Sequence, residues 1–323
     1  MADLKEKIYQ MFILGTEGGY LNKALEHGLG GVIFFSKDIQ TAEQFKTLVK
    51  KIKSTTKITP FLAIDQEGGR VERTENIHNG KKYLSAKFAF EKGEEFLKTQ
   101  TEKISQELKS YGINLNFAPC IDTNTNPNNP IIGERAFSSN PEDVIKAENI
   151  VSNIYQKNGI IPCVKHFPGH GNANADSHLT LPEINLSLDE MEKTHIKPFK
   201  TAIENGIDMI MAAHLHCTCF EKDKIPTSLS KNALNYLRNN LNFKGVIISD
   251  DMVMKGVSDF GDVEACEMGI KAGINIFIYR FADKKTFDII DQIYKKALND
   301  NELKDNILKS YDKIINLKTK YLL

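Results

Sequence analysis

Acidic residues and imidazoles stand at the ends of several apolar runs of this chain. Asp65 ends one run, His166 ends another and Asp250 ends a third. A carboxylate at such a place can act as a nucleophile, as a general base or as an acceptor for a hydroxyl group. The polar segments that follow these and other runs are 65–70, 133–135, 165–171, 214–216, 250–251 and Arg280. Parallel strands of one barrel would bring them to a single active site.

The segment from Lys165 to His178 has the most distinctive composition. Gly169 and Gly171 give backbone freedom, and Asp176 stands two residues before His178. A carboxylate at this spacing can orient an imidazole and raise its basicity, as in other Asp–His pairs. The segment could therefore carry His178 over a pocket as a lid. The alternative is a surface loop in which this histidine is incidental.

Purely structural interpretations stay open for other polar residues. Asp250 or Asp251 could cap a helix N-terminus, and two in a row permit one role each. Glu67 and Arg70 could form a structural ion pair beneath their loop.

A metal site is the competing chemical interpretation. A metal-dependent hydrolase of the amide or deaminating type would use His214, His216 and His166 with Asp250. However, the two imidazoles of a His-x-His pair face opposite sides of an extended strand. The potential ligands on which this alternative rests are His166, His170, His214, His216, Cys217 and Cys219, without a Cys-x-x-Cys pair among them.

The elements that would position these residues are eight apolar runs separated by amphipathic segments. The strands are predicted at 11–15, 31–35, 60–65, 113–118, 161–166, 207–214, 245–250 and 274–279. Helices are predicted at 42–52, 86–111, 141–158, 188–205, 231–240, 263–272, 284–298 and 299–321. This alternation favours an α/β fold, a (β/α)8 TIM barrel with its site at the carboxyl ends of the strands. Because no flexible linker divides the chain, residues 1–323 are expected to form one domain.

Composition excludes several classes of protein. The 42 basic and 42 acidic residues cancel, so no net charge draws the chain to nucleic acid or to a membrane surface. Five scattered cysteines predict free thiols in a reducing compartment, hence a cytoplasmic location. No signal peptide and no membrane span is recognised. We expect a small-molecule substrate and a monomer or weak homo-oligomer.

Five motifs in one order resemble a known family, the single-domain β-N-acetylhexosaminidases of glycoside hydrolase family 3, which act in bacterial peptidoglycan recycling. The motifs are AIDQEGGRV at 63–71, GERAF at 133–137, KHFPGHG at 165–171, DSH at 176–178 and GVIISDDM at 245–252. The loop at 74–82 departs from the family pattern and leaves the leaving-group preference open.

The resemblance implies a role for each matching position. Asp250 matches the nucleophile, His178 the acid/base and Asp176 its partner. The positions that hold the sugar before the cleaved bond are Asp65, Arg73, Arg135, Lys165 and His166. The implied activity is a retaining exo-β-N-acetylglucosaminidase without a metal or organic cofactor.

The acid/base chemistry leads to one further expectation. A deprotonated histidine is neutral and would repel phosphate less than a carboxylate would, so we expect some phosphorolysis beside hydrolysis. The remaining alternatives are a catalytically silent sugar-binding barrel and a family 3 β-glucosidase, which usually carries a second domain.

Overall fold

A computed structural model describes residues 2–174 and 180–322. The strands are β1 (Phe12–Glu17), β2 (Gly31–Phe34), β3 (Phe61–Ile64), β4 (Leu115–Asn116), β5 (Ile161–Phe167), β6 (Glu183–Ile184), β7 (Met209–Ala212), β8 (His216–Cys217), β9 (Val246–Asp251) and β10 (Ile276–Phe281). Eight of them are parallel and close a barrel in the order β1-β10-β9-β7-β5-β4-β3-β2. This confirms the predicted (β/α)8 fold. The two others, β6 and β8, pair beside the barrel.

Helices follow most of the barrel strands. They are α1 (Leu4–Tyr9), α2 (Leu21–Glu26), α3 (Ala42–Thr55), α4 (Ala86–Glu91), α5 (Glu94–Tyr111), α6 (Pro141–Lys157), α7 (Leu188–Glu190), α8 (Lys197–Glu204), α9 (Lys231–Asn235), α10 (Lys255–Ser258), α11 (Asp262–Ala272), α12 (Lys284–Ala297) and α13 (Asn301–Leu322). No helix of residues 2–174 and 180–322 has the length and apolar character needed to cross a bilayer.

The strands read as continuous apolar runs because both faces of each are covered. All four residues of β2, β3 and β7 are buried, with side chains of the barrel interior on one face and helices on the other. Local signals start the helices. The Asp283 side chain accepts from the Thr286 backbone N–H at the start of α12, and Asn140 with Pro141 starts α6.

Strand β4 is shorter than its predicted run, and two asparagine side chains add to its backbone pairing with β3. Asn114 Oδ1 accepts from the Leu62 N–H at 2.7 Å, and Asn116 Oδ1 accepts from the Gln66 N–H at 2.9 Å. Both amide groups also donate to carbonyl oxygens of the neighbouring segment. These bonds tie the end of β3 to β4, and the candidate site begins directly above that point.

The opposite end of the barrel is closed by a lysine of the last helix. Lys318 is 1% exposed. Its Nζ donates to Gln10 Oε1 and to the Gly30 carbonyl oxygen, both at 2.8 Å, and lies 4.8 Å from the centre of the Phe61 ring. Helix α13 is thereby attached to the floor of the barrel.

Several elements differ from the sequence prediction. Helices α1 and α2 and the β6–β8 pair were not predicted. The predicted helix 86–111 is two helices, because Gly93 has a φ of +98°. The predicted helix 188–205 contains a π-helical turn at Met191–His195 between α7 and α8.

Candidate active site

A pocket of about 170 Å³ opens at the carboxyl ends of the barrel strands. Its size suits a ligand smaller than a typical drug molecule. Eight apolar and nine ionisable side chains line it. The apolar ones are Ile33, Phe35, Val71, Phe117, Ile131, Met211, Met254 and Ile278, and the ionisable ones are Asp65, Arg73, Arg135, Lys165, His166, His170, Asp250, Asp251 and Arg280. Such a set can bind a polar ring through several fixed contacts.

Four charged side chains form a continuous network on one side of the pocket. Lys165 Nζ lies 2.8 Å from Asp65 Oδ1 and 2.6 Å from Glu67 Oε1. Arg135 donates to both oxygens of Glu67, each at 2.9 Å. The side chains of Lys165 and Glu67 are only 2% and 4% exposed. Glu67 thus lies beneath the pocket and fixes the two cations that face it.

The charges of this network sustain one another. Burial alone would raise the pKa of Glu67, but Arg135 and Lys165 outweigh it and hold that pKa well below the usual range. Burial opposes the charge of Lys165 and of Arg135 in the same way. Asp65 and Glu67 nevertheless raise the pKa of Lys165, and Glu67 raises that of Arg135. Glu67, Lys165 and Arg135 are therefore ionised at neutral pH.

A second buried carboxylate orients the histidine of β5. His166 Nδ1 donates to Asp122 Oδ2 at 2.7 Å, and His166 Nε2 faces Arg135 at 3.3 Å. The backbone N–H of His170 donates to Asp122 Oδ1 at 2.6 Å. Burial opposes ionisation of Asp122, but the two histidines lower its pKa below the usual range. Asp122 thus fixes which ring nitrogen of His166 faces the pocket.

The loop after β5 is held by close backbone approach. A Cβ on Gly171 would lie 1.8 Å from the Thr123 carbonyl oxygen, and a Cβ on Gly169 would lie 2.7 Å from the His195 Cβ. Glycine is therefore required at both positions. This packing buries His170 at the pocket wall and lowers its pKa to about 4, chiefly through desolvation. His170 is neutral at pH 7.

Asp250 and Asp251 end strand β9 and have separate surroundings. Asp250 is partly buried at the pocket, and its Oδ1 accepts from the Asp251 backbone N–H at 2.7 Å. Asp251 instead accepts from the guanidinium of Arg280 and from the Val253 N–H. Desolvation opposes the charge of Asp250, and the groups that outweigh it and lower its pKa are His166, His214, the Asp251 N–H and Lys165. Asp250 is thus an ionised carboxylate facing the pocket, and no cation within residues 2–174 and 180–322 forms an ion pair with it.

The structure brings six of the eight site residues predicted from sequence to this pocket. They are Asp65, Arg73, Arg135, Lys165, His166 and Asp250. Arg73 stands at the rim, with its guanidinium 3.9 Å from Asp65. The other two, Asp176 and His178, lie outside the described residues.

Sequence reasoning missed the supporting carboxylates. The alternative of a structural ion pair between Glu67 and Arg70 is not what the structure shows. Glu67 pairs with Arg135 and Lys165, while Arg70 donates to backbone carbonyl oxygens at 130 and 131. Asp122 was overlooked although it follows the fourth apolar run by four residues, as Asp65 and Asp250 end theirs. A search of every strand end for acids would have found it.

The metal alternative finds little support in the described ranges. His214 pairs with the Ser228 hydroxyl, and His216 contacts Glu183 and the Glu221 carbonyl oxygen, so their rings do not converge. Within those ranges, the group of three ligand atoms near enough to share an ion is Cys120, Asp122 and His166. Asp122 already accepts from both neighbours, at 3.2 Å from Cys120 Sγ and 2.7 Å from His166 Nδ1. These atoms satisfy one another without an ion.

Known proteins are similar to this chain in sequence and in architecture. A curated relative, beta-hexosaminidase A of Pseudoalteromonas piscicida, is 32% identical over 91% of this chain and 54% of its own length. The beta-hexosaminidase of Neisseria gonorrhoeae (strain NCCP11945) is 36% identical over 79% of this chain and 72% of its own. Among solved structures, a glycoside hydrolase family 3 beta-N-acetylglucosaminidase from Paenibacillus sp. str. FPU-7 superposes with a TM-score of 0.93 and 28% identity over 99% of this chain and 63% of that one.

The chain therefore spans only part of some relatives, about half the length of the Pseudoalteromonas protein and less than two thirds of the Paenibacillus one. The match to a family description is nevertheless almost continuous. Residues 3–317 match the domain described as Glycosyl hydrolase family 3 N terminal domain. Together with the barrel and its pocket, this match establishes that the chain belongs to glycosyl hydrolase family 3.

Proposed function

We propose that this protein is a retaining exo-β-N-acetylglucosaminidase that removes terminal, non-reducing N-acetylglucosamine from peptidoglycan-derived fragments. The observation that carries the proposal is Asp250, an ionised carboxylate at the end of β9 in a pocket sized for a small ligand, with which no cation of the described residues forms an ion pair. The names of the relatives, beta-hexosaminidase and beta-N-acetylglucosaminidase, support the sugar specificity.

Asp250 would attack the anomeric carbon of the bound sugar and form a covalent glycosyl-enzyme. This step needs the charged form of the carboxylate, and the lowered pKa of Asp250 supplies it at neutral pH. Asp251 cannot easily share the role, because the Arg280 guanidinium and the Val253 N–H already occupy its oxygens. The resemblance of residues 245–252 to the family motif supports the same role for Asp250.

The sugar would be held by the charged network. Asp65 and Lys165 present a carboxylate and an ammonium fixed 2.8 Å apart, a pair suited to adjacent hydroxyl groups. Arg135 and His166 are oriented from behind by Glu67 and Asp122 and would contact hydroxyl or N-acetyl oxygens. Because these groups are positioned before the sugar binds, little reorganisation is needed at the moment of reaction.

The acid/base pair would be His178 with Asp176. His178 would protonate the leaving oxygen in the first step and deprotonate water in the second, and Asp176 would hold the required tautomer. The support is the Asp-x-His spacing at 176–178 and its place in the ordered series of family motifs.

Trapping the covalent intermediate tests the proposal. After incubation with an activated 5-fluoro N-acetylglucosaminide, intact-protein mass spectrometry should show one sugar adduct, and peptide mapping should place it on Asp250. Asp250→Asn should carry no adduct. Asp251→Asn is the matched neighbour and should still be labelled. An adduct elsewhere, or none at all on the wild-type chain, would overturn the assignment.

Replacement of Asp176 tests the acid/base pair. Asp176→Ala should lower kcat roughly 100-fold or more, because His178 would lose its orienting partner. The thermal unfolding midpoint should not change appreciably. Unchanged turnover at an unchanged midpoint would show that His178 is not supported by Asp176.

Three further expectations accompany the proposal. Phosphate could replace water as acceptor, and formation of a sugar 1-phosphate in phosphate buffer would reveal it.

Residues 1–323 would act as one catalytic unit, supported by the continuous buried core that joins α1 to α13. A cytoplasmic location is supported by the five free cysteines.

A further inference from the structure

Two cysteines outside the pocket lie within contact distance of each other. Cys217 ends β8, and Cys219 follows it in the next turn. Their Sγ atoms are 3.3 Å apart. The turn is closed by the Cys217 carbonyl oxygen, which accepts from the N–H groups of Phe220 and Glu221 at 3.0 and 3.2 Å. This turn brings the second thiol back over the first.

The two thiols differ in a way that favours stepwise oxidation. Cys217 is buried, whereas Cys219 is partly exposed. The hydrogen bond between them lowers the pKa of Cys219, and the same bond together with burial raises the pKa of Cys217. Cys219 is therefore the accessible sulfur with thiolate character, and Cys217 is the thiol that donates to it. Cys120, Cys163 and Cys266 are buried, and burial raises the pKa of each thiol.

Strand β8 also holds the segment that follows the proposed acid/base residues in sequence. The His216 N–H donates to the Pro182 carbonyl oxygen at 2.9 Å, and the Thr218 N–H donates to the Ile184 carbonyl oxygen at 3.0 Å. The Thr218 hydroxyl donates to Asn185 Oδ1 at 3.0 Å. Thr218 stands between the two cysteines, so a bond between their sulfurs would enclose Thr218 in a small ring.

We propose that Cys217 and Cys219 are a reversible oxidation site, in which a hydroperoxide converts the dithiol to a disulfide and the closed ring loosens the pairing of β8 with residues 182–185. In the first step the Cys219 thiolate attacks the O–O bond, forming a sulfenic acid and releasing an alkoxide or hydroxide that takes up a proton. The Cys217 sulfur then attacks the sulfenic sulfur, the S–O bond breaks, and water leaves with the thiol proton. Two thiols and one hydroperoxide give one disulfide, one alcohol or water, and one water.

Mass spectrometry of the full chain after mild hydrogen peroxide treatment tests the site. The chain should lose about 2 Da, since two thiol hydrogens are removed. After the oxidised chain is unfolded in denaturant, a thiol-alkylating reagent should label three of the five cysteines, leaving 217 and 219 blocked until dithiothreitol restores them. Cys217→Ser and Cys219→Ser should both abolish the mass loss. Cys266→Ser, a buried thiol far along the chain, is the matched control and should retain it.

Amide hydrogen exchange tests the consequence. In the oxidised chain, the amide of Thr218 and the peptide covering 182–185 should exchange faster than in the reduced chain, while β3 and β7 should be unchanged. Oxidation of Cys219 to a sulfinic acid with Cys217 still alkylatable would overturn the disulfide. A disulfide with unchanged exchange would overturn the coupling to residues 182–185. Neither readout uses a sugar, so both stand apart from the proposed glycosidase activity.

Discussion

At the scale of single residues, the pocket is built from charges that would be unstable alone. Glu67, Lys165 and Arg135 are each nearly enclosed, and each is held ionised by its partners rather than by water. Breaking a buried pair by removing one partner leaves the other charge without compensation. The residues proposed to hold the sugar therefore belong to the same cluster that stabilises the fold.

Glu67→Gln should destabilise the protein by about 3 kcal/mol at pH 7, because it leaves Lys165 and Arg135 buried with one counter-charge fewer. Urea unfolding followed by circular dichroism measures the change. Glu94→Gln, at an exposed ion pair on α5, is the control and should leave the midpoint unchanged. A Glu67 variant as stable as the wild type would show that solvent or rearrangement compensates the two cations.

The sequence revealed the residues that face the pocket more readily than those behind them. Asp65, His166 and Asp250 stand at the ends of apolar runs, where a parallel barrel places its site. Glu67 pairs with Arg135, and Asp122 pairs with His166, although the two members of each pair are distant in sequence. No local spacing therefore links them. Such pairs become visible only once the strand order is known.

At the scale of elements, continuous apolar runs predicted all eight barrel strands. Elements with a weaker local pattern were missed. Helices α1 and α2 have only six residues each, too few to show a clear period. The pair β6–β8 has two residues a strand and depends on a contact between segments more than thirty residues apart. Helix periodicity also runs through Gly93 without showing the break between α4 and α5.

Helix α6 carries a buried acid that the proposed activity does not use. Glu148 is 2% exposed, and its Oε2 has no hydrogen-bond partner among residues 2–174 and 180–322. Burial raises its pKa to about 7, and Ser152 on the next turn opposes this shift. The folded state therefore binds a proton at Glu148 that the unfolded chain releases above its ordinary pKa of 4.5. This contribution to stability is complete below pH 4.5 and is lost as the pH rises through 7.

Glu148→Gln should remove the loss of stability that ionisation of Glu148 causes at high pH. At pH 8 the variant should be more stable than the wild type by about 3 kcal/mol, and the difference should shrink to less than about 1 kcal/mol at pH 5. Urea unfolding across this pH range measures it. Glu204→Gln, at an exposed position of the neighbouring helix α8, should show no such pH-dependent difference. A constant difference for Glu148→Gln would mean that Glu148 is ionised in the folded state.

At the scale of the whole molecule, the barrel has a reactive end and a structural end. The pocket lies at the carboxyl ends of the strands, and Lys318 closes the other end between Gln10, Gly30 and Phe61. Burial lowers the pKa of Lys318 to about 7. A neutral amine still has two N–H groups, so both hydrogen bonds survive deprotonation.

The sign of the resulting pH effect follows from the lowered pKa. Between pH 7 and 10.5 the unfolded chain binds a proton at Lys318 that the folded protein lacks, so this residue's contribution to stability grows as the pH rises and is lost as it falls toward 7. The stability of the wild type relative to Lys318→Met should therefore increase between pH 7 and 10, by at most about 1.4 kcal/mol for each pH unit.

Guanidinium unfolding at several pH values measures the difference in stability between the wild type and Lys318→Met. Tyrosine titration is common to both proteins, so its effect cancels in this difference. Lys309→Met, an exposed lysine of the same helix, is the matched control and should show a flat difference. A flat difference for Lys318→Met as well would place a charged ammonium at the floor of the barrel.

Closure of the ring has a consequence for self-association. Because β1 pairs with β10, every barrel strand has a neighbour on both sides, and the barrel offers another chain no row of unpaired backbone N–H and C=O groups. Such rows are the usual template on which sheets of separate molecules join into aggregates. Contacts between copies would have to form through groups outside the ring of barrel strands, and their strength would depend on the complementarity of those surfaces.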